Sequence, residues 1–463
     1  MRTQLASGFQ QKMFCDQGCI KKYRYFHNKN TMPISLIAPH QVDGVEWLLN
    51  RERSTPSGGL LCDEMGLGKT IQMLETMVRN FKMHTLIVVP KSLVKQWKSE
   101  INKFVPSFTV CVYDGSNRKF SKCDVCICPY SVVVDLVSFT WDRIILDEGH
   151  EIRNPSSLVH KTCMSLKART KWILTGTPVF NKMRDFVSLC TFVGIPKKNV
   201  QAYTDDTRKE FVLRRVKTDM VECSFSNVEI EMNDEEARLY ETVYDQLKCG
   251  EFEILEGLLR CRQVCAWPQL YFDGMYKKYG GEKITWNYSS SKFDALMCMI
   301  HSHPREKTLV FTQFIGEATE LKKRLQSKPV YILDGSTVDR ESVIDQFRHA
   351  PMDAVFIIQI KTGGVGLNLQ EATRVYITQP SWNPATELQA IARAHRTGQK
   401  HKVIVKKLVY VGVDDIDIEM TNLQTAKSLI CSQVLCDETI KSQIPTVSVA
   451  SNFEIKLGSN LRE

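Results

Sequence analysis

Residues 60–70 read LLCDEMGLGKT, and they bring together the residue types that hold a polyphosphate. Gly66 and Gly68 permit backbone angles that turn several N–H groups toward one anion. Lys69 supplies a point charge for terminal phosphates, and the Thr70 hydroxyl is a ligand for magnesium. The pattern G-x-x-x-x-G-K-[ST] asks for a glycine where Asp63 stands. The flanks still give the motif the context it needs. Leu60, Leu61 and Cys62 form a short apolar run suited to a buried strand. Ile71, Leu74, Met77 and Val78 recur at helical spacing, so a helix N-terminus would point at the phosphates.

A phosphate loop that supports hydrolysis needs a carboxylate for the metal and a base for the water. RIILDEGH, residues 143–150, ends an apolar run with two acids. Strand ends are where parallel sheets place ligand groups. Asp147 is the candidate magnesium carboxylate, acting through the ion's waters. Glu148 is the candidate base that orients or deprotonates the attacking water. The third part is QAIARAHRTGQ, residues 389–399. Arg393 and Arg396 stand three apart, which predicts one shared helix face. An arginine brought to a transferring phosphate is worth roughly 10³–10⁵ in rate. The expected catalytic set is therefore Lys69, Asp147, Glu148, Arg393 and Arg396.

These residues need elements to position them. From residue 34 to about 225, apolar runs at 86–89, 110–113, 125–128, 143–146 and 172–174 read as strands, several of them separated by helical patterns. A second series follows at 308–311, 330–333, 354–358, 374–377 and 403–409. Each series has the signature of a parallel sheet with crossover helices, an α/β fold. Between them, Asn233 and Glu236 make a capping-box start to a helix. Residues 230–290 read as helical and then as loop through YFDGMYKKYGGEK (271–283). The expected organisation is a basic arm over 1–33, a first lobe over 34–225, a helical insertion over 226–290, a second lobe over 291–430 and a tail over 431–463. The tail's AKSLICSQVL reads as a bracing or a surface helix.

The chain has 463 residues, enough for two or three domains. A net charge of +9 permits a polyanionic partner without demanding one. Sixteen cysteines without a repeating framework, and no signal-like apolar run, point to an intracellular, reducing setting with free thiols. No stretch approaches a membrane span. Cys123, Cys126 and Cys128 alternate as a strand does and read as core. Cys15 and Cys19 have no second ligand pair nearby to complete a zinc set.

In order along residues 36–412, these motifs resemble helicase superfamily-two motors of the Swi/Snf class, DNA translocases of chromatin remodelling and repair. The resemblance is carried by LIAPHQVDGVEWL, DEMGLGKT, TLIVVPKSLVKQW, DVCICPYS, DEGHEIRN, LTGTPVFN, FVLRR and LLRCRQVC. In the second half it is carried by KTLVFTQF, LDGST, KTGGVGLNLQ, SWNP and the arginine segment. It implies two tandem RecA-like lobes with a helical insertion between them. It also implies Gln41 as the adenine reader and ATP with Mg2+ as cofactors. Asp63, Glu64, Met65, Gly66, Leu67, Gly68, Lys69 and Thr70 would form the nucleotide cradle. Asp63 is the usual residue of that family's loop. His150 and Thr175–Thr177 would link the acid box to the facing lobe. Gln379, Ala392 and Thr397 depart from frequent family residues without removing a phosphate, metal or arginine contact.

DNA contacts of such a motor fall mostly on phosphates. Lys91, Thr362, Gly363 and Gly364 are the candidates, with Trp382 either touching a strand or packing the lobe. The partner implied is double-stranded DNA, bare or in nucleosomes or a transcription or repair complex. The setting would be the nucleus or a site of viral DNA metabolism, and the motor a compact monomer. Three other readings share parts of this set. A strand-separating helicase on DNA or RNA has the same catalytic residues. An ATP-gated binding module would lack the base or the arginines, which are present. A switch GTPase or small kinase leaves the second α/β series unexplained.

Overall fold

The computed structural model describes residues 38–435 except 116–117, 119, 177–182, 203, 217–220, 364–366, 397 and 413–414. The basic arm, Cys15, Cys19, Thr177, Gly364, Thr397 and the tail beyond residue 435 lie outside the described residues. The chain divides into two compact units, the break falling after Thr218. Each is built on a parallel sheet with crossover helices, as the two alternating series predict.

The first unit's strands are β1 (Ser57–Leu61), β2 (Thr85–Val89), β3 (Val110–Val112), β4 (Val125–Pro129), β5 (Thr140–Asp147), β6 (Lys167–Leu174) and β7 (Val212–Leu213). Their order in the sheet is β3-β4-β2-β5-β6-β1-β7. Covered on both faces, such strands read as continuous apolar runs. Leu86 to Val89 and Ile144 to Leu146 are completely buried, as are Cys126 and Cys128 of β4. Each fully buried aliphatic contributes roughly 1.5–3 kcal/mol. Arg143, within β5, is also fully buried. Its guanidinium grips the Glu52 carboxylate through Nε and Nη2, each at 2.6 Å, and Trp172 Nε1 donates to the same carboxylate at 2.9 Å. This buried pair ties the strand that ends in Asp147 to the helix Pro39–Arg53.

The second unit's strands are β8 (Cys223–Ile230), β9 (Thr308–Thr312), β10 (Val330–Leu333), β11 (Val355–Gln359), β12 (Arg374–Ile377) and β13 (Val403–Tyr410), in the order β10-β11-β9-β12-β13-β8. The sequence reading contains no β8, although it pairs with β13 along its whole length. Its side chains are nearly all half-buried, so no apolar run marks it. Helices Asp234–Lys248, Ile254–Ala266 and Gln269–Tyr279 follow. The first begins with the predicted capping box, Asn233 accepting from the Glu236 backbone and Glu236 returning to that of Asn233. The third corrects the loop expected over 271–283, since its helix runs to Tyr279. Gly274 lowers its intrinsic propensity, but Tyr271 and Met275, one turn apart, pack on the cluster around Tyr240, Leu258 and Val264.

The last described helix, Ile416–Leu435, joins the same cluster through Ile416 and Met420. Its Gln424 donates to the Ser381 carbonyl and to Glu387 Oε1, both at 2.6 Å, and accepts from Lys407 Nζ at 2.9 Å. It therefore braces the Ser381–Pro384 turn. Among the described residues, no helix is long and apolar enough to cross a membrane.

Candidate active site

Strand register gathers the first unit's polar groups. β6 lies between β1 and β5, and its last residue, Leu174, is level with both Leu61 and Asp147. The segments that leave β1, β6 and β5 therefore emerge side by side, strands being about 4.8 Å apart. They are the Gly-Lys-Thr loop, Thr175–Gly176, and Asp147–Glu148. On the other side of β1, Leu213 of β7 is level with Leu61, which puts Arg214 and Arg215 beside Cys62 and Asp63. Cys62 N donates to Leu213 O at 2.7 Å and Glu64 N to Arg215 O at 2.9 Å.

The helix Lys69–Arg79 starts at Gly68, whose φ is 79°, and Gly66 has φ 88°. A side chain at Gly68 would in addition meet Gln41 Nε2 at 2.6 Å. The loop thus needs glycine twice over, and its N–H groups precede an uncapped helix start, an anion-binding arrangement. Lys69 Nζ donates to Asp63 O at 2.7 Å and Glu64 O at 3.4 Å, inside the loop. Burial lowers the Lys69 pKa, while the Glu148, Asp63 and Asp147 carboxylates oppose that shift. Met65 lies against Gly176, and Thr70, second in the helix, is half-buried. Gln41 is buried, with Nε2 3.5 Å from Leu67 O, and His40 Nε2 is 3.1 Å from the same oxygen.

The Asp63 side chain faces away from this cradle. It is fully buried and held by the fork of Arg215, with Nε donating to Oδ1 at 2.9 Å and Nη2 to Oδ2. Arg214 Nη1 donates to Cys62 O at 2.9 Å and Gly176 O at 3.2 Å.

Asp147 is held at both oxygens. Trp97 Nε1 donates to Oδ2 at 2.7 Å, and Glu148 N donates to Oδ1 at 2.9 Å. Burial, and then repulsion from Glu148, push its pKa up to about 6. Tyr130 OH donates to the Asp147 carbonyl at 2.9 Å. Glu148 has φ 49°, the one positive φ outside glycine among the described residues. Backbone strain of this kind collects where a side chain must be aimed. His150 Nδ1 lies 3.2 Å from Glu148 Oε2. Trp97 and Tyr130 sit in the segments TLIVVPKSLVKQW and DVCICPYS, and nothing in their spacing points to Asp147.

This donor set fits a small hard dication carried in with a polyphosphate. The site has a carboxylate destabilised by burial and a like charge, and a helix-start hydroxyl. Among the described residues, no three His, Cys, Asp or Glu side chains converge as a complete cage. Magnesium keeps waters and phosphate oxygens as its remaining ligands.

Apart from Lys91, the remaining candidates belong to the second unit. The shared helix face predicted for Arg393 and Arg396 does not form, because the helix Pro384–Ile391 ends before them. Tighter bonds take over, from Arg393 N to Ala390 O and from Ala394 N to Ile391 O, both at 3.1 Å, and Leu369 N takes the Arg393 carbonyl at 3.0 Å. Gln399 Nε2 staples the segment through the Gln370, Ala372 and Ala394 carbonyls. Arg393 is buried. Arg396 Nη1 lies 3.4 Å from Leu367 O, and burial together with nearby Arg348 lowers its pKa.

Lys91 is exposed in the turn after β2. Thr362 Oγ1 donates to Gln359 Oε1 at 3.2 Å, and Gly363 ends the short helix Ile360–Gly363. Trp382 packs on the cluster around Tyr240, with the Arg262 guanidinium 5.9 Å from its ring centre. Gln379 is fully buried and exchanges hydrogen bonds with Arg262, donating to its carbonyl at 3.0 Å.

Comparisons with known proteins identify the family. Residues 40–206 match the SNF2-related domain and residues 291–398 the helicase conserved C-terminal domain. An uncharacterized ATP-dependent helicase of Mycoplasma pneumoniae is 30% identical over 468 residues, 89% of this chain and 44% of that protein. The DNA excision repair protein ERCC-6 of Homo sapiens is 29% identical over 486 residues, 86% of this chain and 32% of its own. The chain thus spans less than half the length of these two relatives. A solved SWI2/SNF2 ATPase core of Sulfolobus solfataricus in complex with dsDNA is 24% identical, with a TM-score of 0.40 over 91% of this chain and 100% of that one. With both domain patterns matched in order, on two parallel α/β sheets, this chain belongs to the SNF2-related helicase-type family.

Proposed function

We propose that the chain hydrolyses ATP and uses the energy to move along double-stranded DNA, remodelling protein–DNA complexes or DNA structure. The observation that carries the reading is the convergence at the first sheet's strand ends. A glycine cradle at a helix start, Lys69 and the Asp147–Glu148 pair all meet there. Supporting it are the two matched domains and relatives named as an ATP-dependent helicase and a DNA excision repair protein.

In this reading the loop N–H groups and Lys69 bind the terminal phosphates, and Gln41 reads adenine. Thr70 and Asp147 would hold Mg2+, which neutralises charge on the phosphate oxygens. Glu148 orients the attacking water and takes its proton, with His150 fixing the carboxylate. Arg393 and Arg396 stabilise the charge that develops on the transferring phosphate. Positioning plus electrostatics is what phosphoryl transfer asks of a protein. Exposed Lys91 and the Thr362–Gly364 segment contact DNA phosphates without reading sequence. Trp382 has a packing role.

ATP-driven displacement of a third strand from a triplex, set beside unwinding of a forked duplex, tests the movement claim. Triplex displacement without fork unwinding is the expected result. Fork unwinding with no triplex displacement would replace this reading with the strand-separating one.

A further inference from the structure

We infer that Arg215 is a positioning residue for base discrimination, tying the segment that carries Gln41 to the phosphate loop. This inference rests on the nucleotide-site reading above and deepens it. The Arg215 fork holds both oxygens of Asp63, Nη2 also donates to Gln72 Oε1 at 2.7 Å, and Nη1 donates to the His40 carbonyl. One planar group thus joins the loop, the helix behind it, the first turn of the helix Pro39–Arg53 and the end of β7. Gln72 Nε2 closes the circuit, donating to Asp63 Oδ2 at 3.1 Å and to Leu67 O at 3.2 Å. That Leu67 oxygen is the one Gln41 and His40 contact.

Asp63 and Gln72 are fully buried, so an unpaired Asp63 would be costly. Gly44, one turn beyond His40, shows how closely the helix is pressed onto the clasp. A Cβ there would meet Gln72 Oε1 at 1.9 Å and Arg215 Nη2 at 2.6 Å. Only the arginine fork has donors enough, in one plane, for three partners. The residue standing where a phosphate loop usually opens with glycine thereby gains a use: its side chain carries the register between base reader and phosphate cradle.

The test compares ATP and GTP affinities of the full chain, by calorimetry, for wild type, Arg215→Lys, Arg215→Gln and the double variant Arg215→Gln with Asp63→Asn. Lysine keeps a charge against Asp63, and so the fold, but loses the fork. Arg215→Lys should lower the ATP-over-GTP preference by roughly tenfold, Arg215→Gln should lower it further, and the double variant should regain part of it by removing the unpaired charge. A merely structural pair would weaken both nucleotides alike. Equal losses for the two bases, or an unchanged preference in folded Arg215→Lys, overturn this inference alone. No ATP binding by the wild type overturns the nucleotide reading together with it.

Discussion

Replacing Asp147 by Asn removes a buried charge that the site maintains at a cost. Burial and the neighbouring Glu148 raise the carboxyl from 3.8 to about 6. A raised acid favours the protonated native state, so the native ensemble is penalised wherever the group must ionise. The penalty is absent below about pH 4, grows between about pH 4 and 6, and is complete above. At about 1.36 kcal/mol per unit, the shift corresponds to about 3 kcal/mol at neutral pH. Two corrections reduce the expected gain. Asp147 keeps partial exposure. Asn also cannot accept from both Trp97 Nε1 and Glu148 N, which loses one hydrogen bond of about 1 kcal/mol. Asp147→Asn should therefore stabilise the first unit by about 1–2 kcal/mol at pH 8, with the gain vanishing toward pH 4. Urea unfolding of both proteins between pH 4.5 and 8, followed by tryptophan emission, measures it. A difference independent of pH, or a less stable variant at pH 8, would refute the reasoning.

Other substitutions probe separate parts. Arg396→Ala should keep ATP affinity within about tenfold while lowering turnover by roughly 10³ or more; single-turnover and equilibrium binding measurements separate the two. Lys292→Met leaves Asp417 buried without its ammonium partner in the second unit. It should cost about 3–5 kcal/mol in denaturant unfolding, most of it recovered by adding Asp417→Leu. Lys91→Ala should weaken duplex binding to a similar degree for unrelated sequences and reduce the salt dependence by about one phosphate contact.

What was legible in the sequence was what lies close together along the chain. The Gly-Lys-Thr loop, the Asp-Glu strand end, the central strands of both sheets and the Asn233 capping box each announce themselves within about ten residues. What was hidden depends on distant pairing. The Asp63–Arg215 fork spans 152 positions, and no local pattern ties them. β8 is half-buried and exists because β13 pairs with it. The turn at Arg393 follows a helical pattern that should have continued, but Leu369 and Gln399 claim its carbonyls. Gln72 gave one weak signal, a polar residue among the apolar positions of its helix, and proved to be wholly buried. Trp97 lies 50 residues before Asp147, and only the fold brings its N–H to that carboxylate.

The central claim is that the strand-end acids hydrolyse a nucleotide held by the glycine loop, in a manner governed by DNA. Its most direct test is ATP turnover by the purified chain with and without duplex DNA, beside Glu148→Gln. The account predicts strong stimulation by duplex in the wild type, and near-complete loss of turnover in the variant while it still binds ATP. Equal rates with and without nucleic acid, or full turnover by Glu148→Gln, would contradict it.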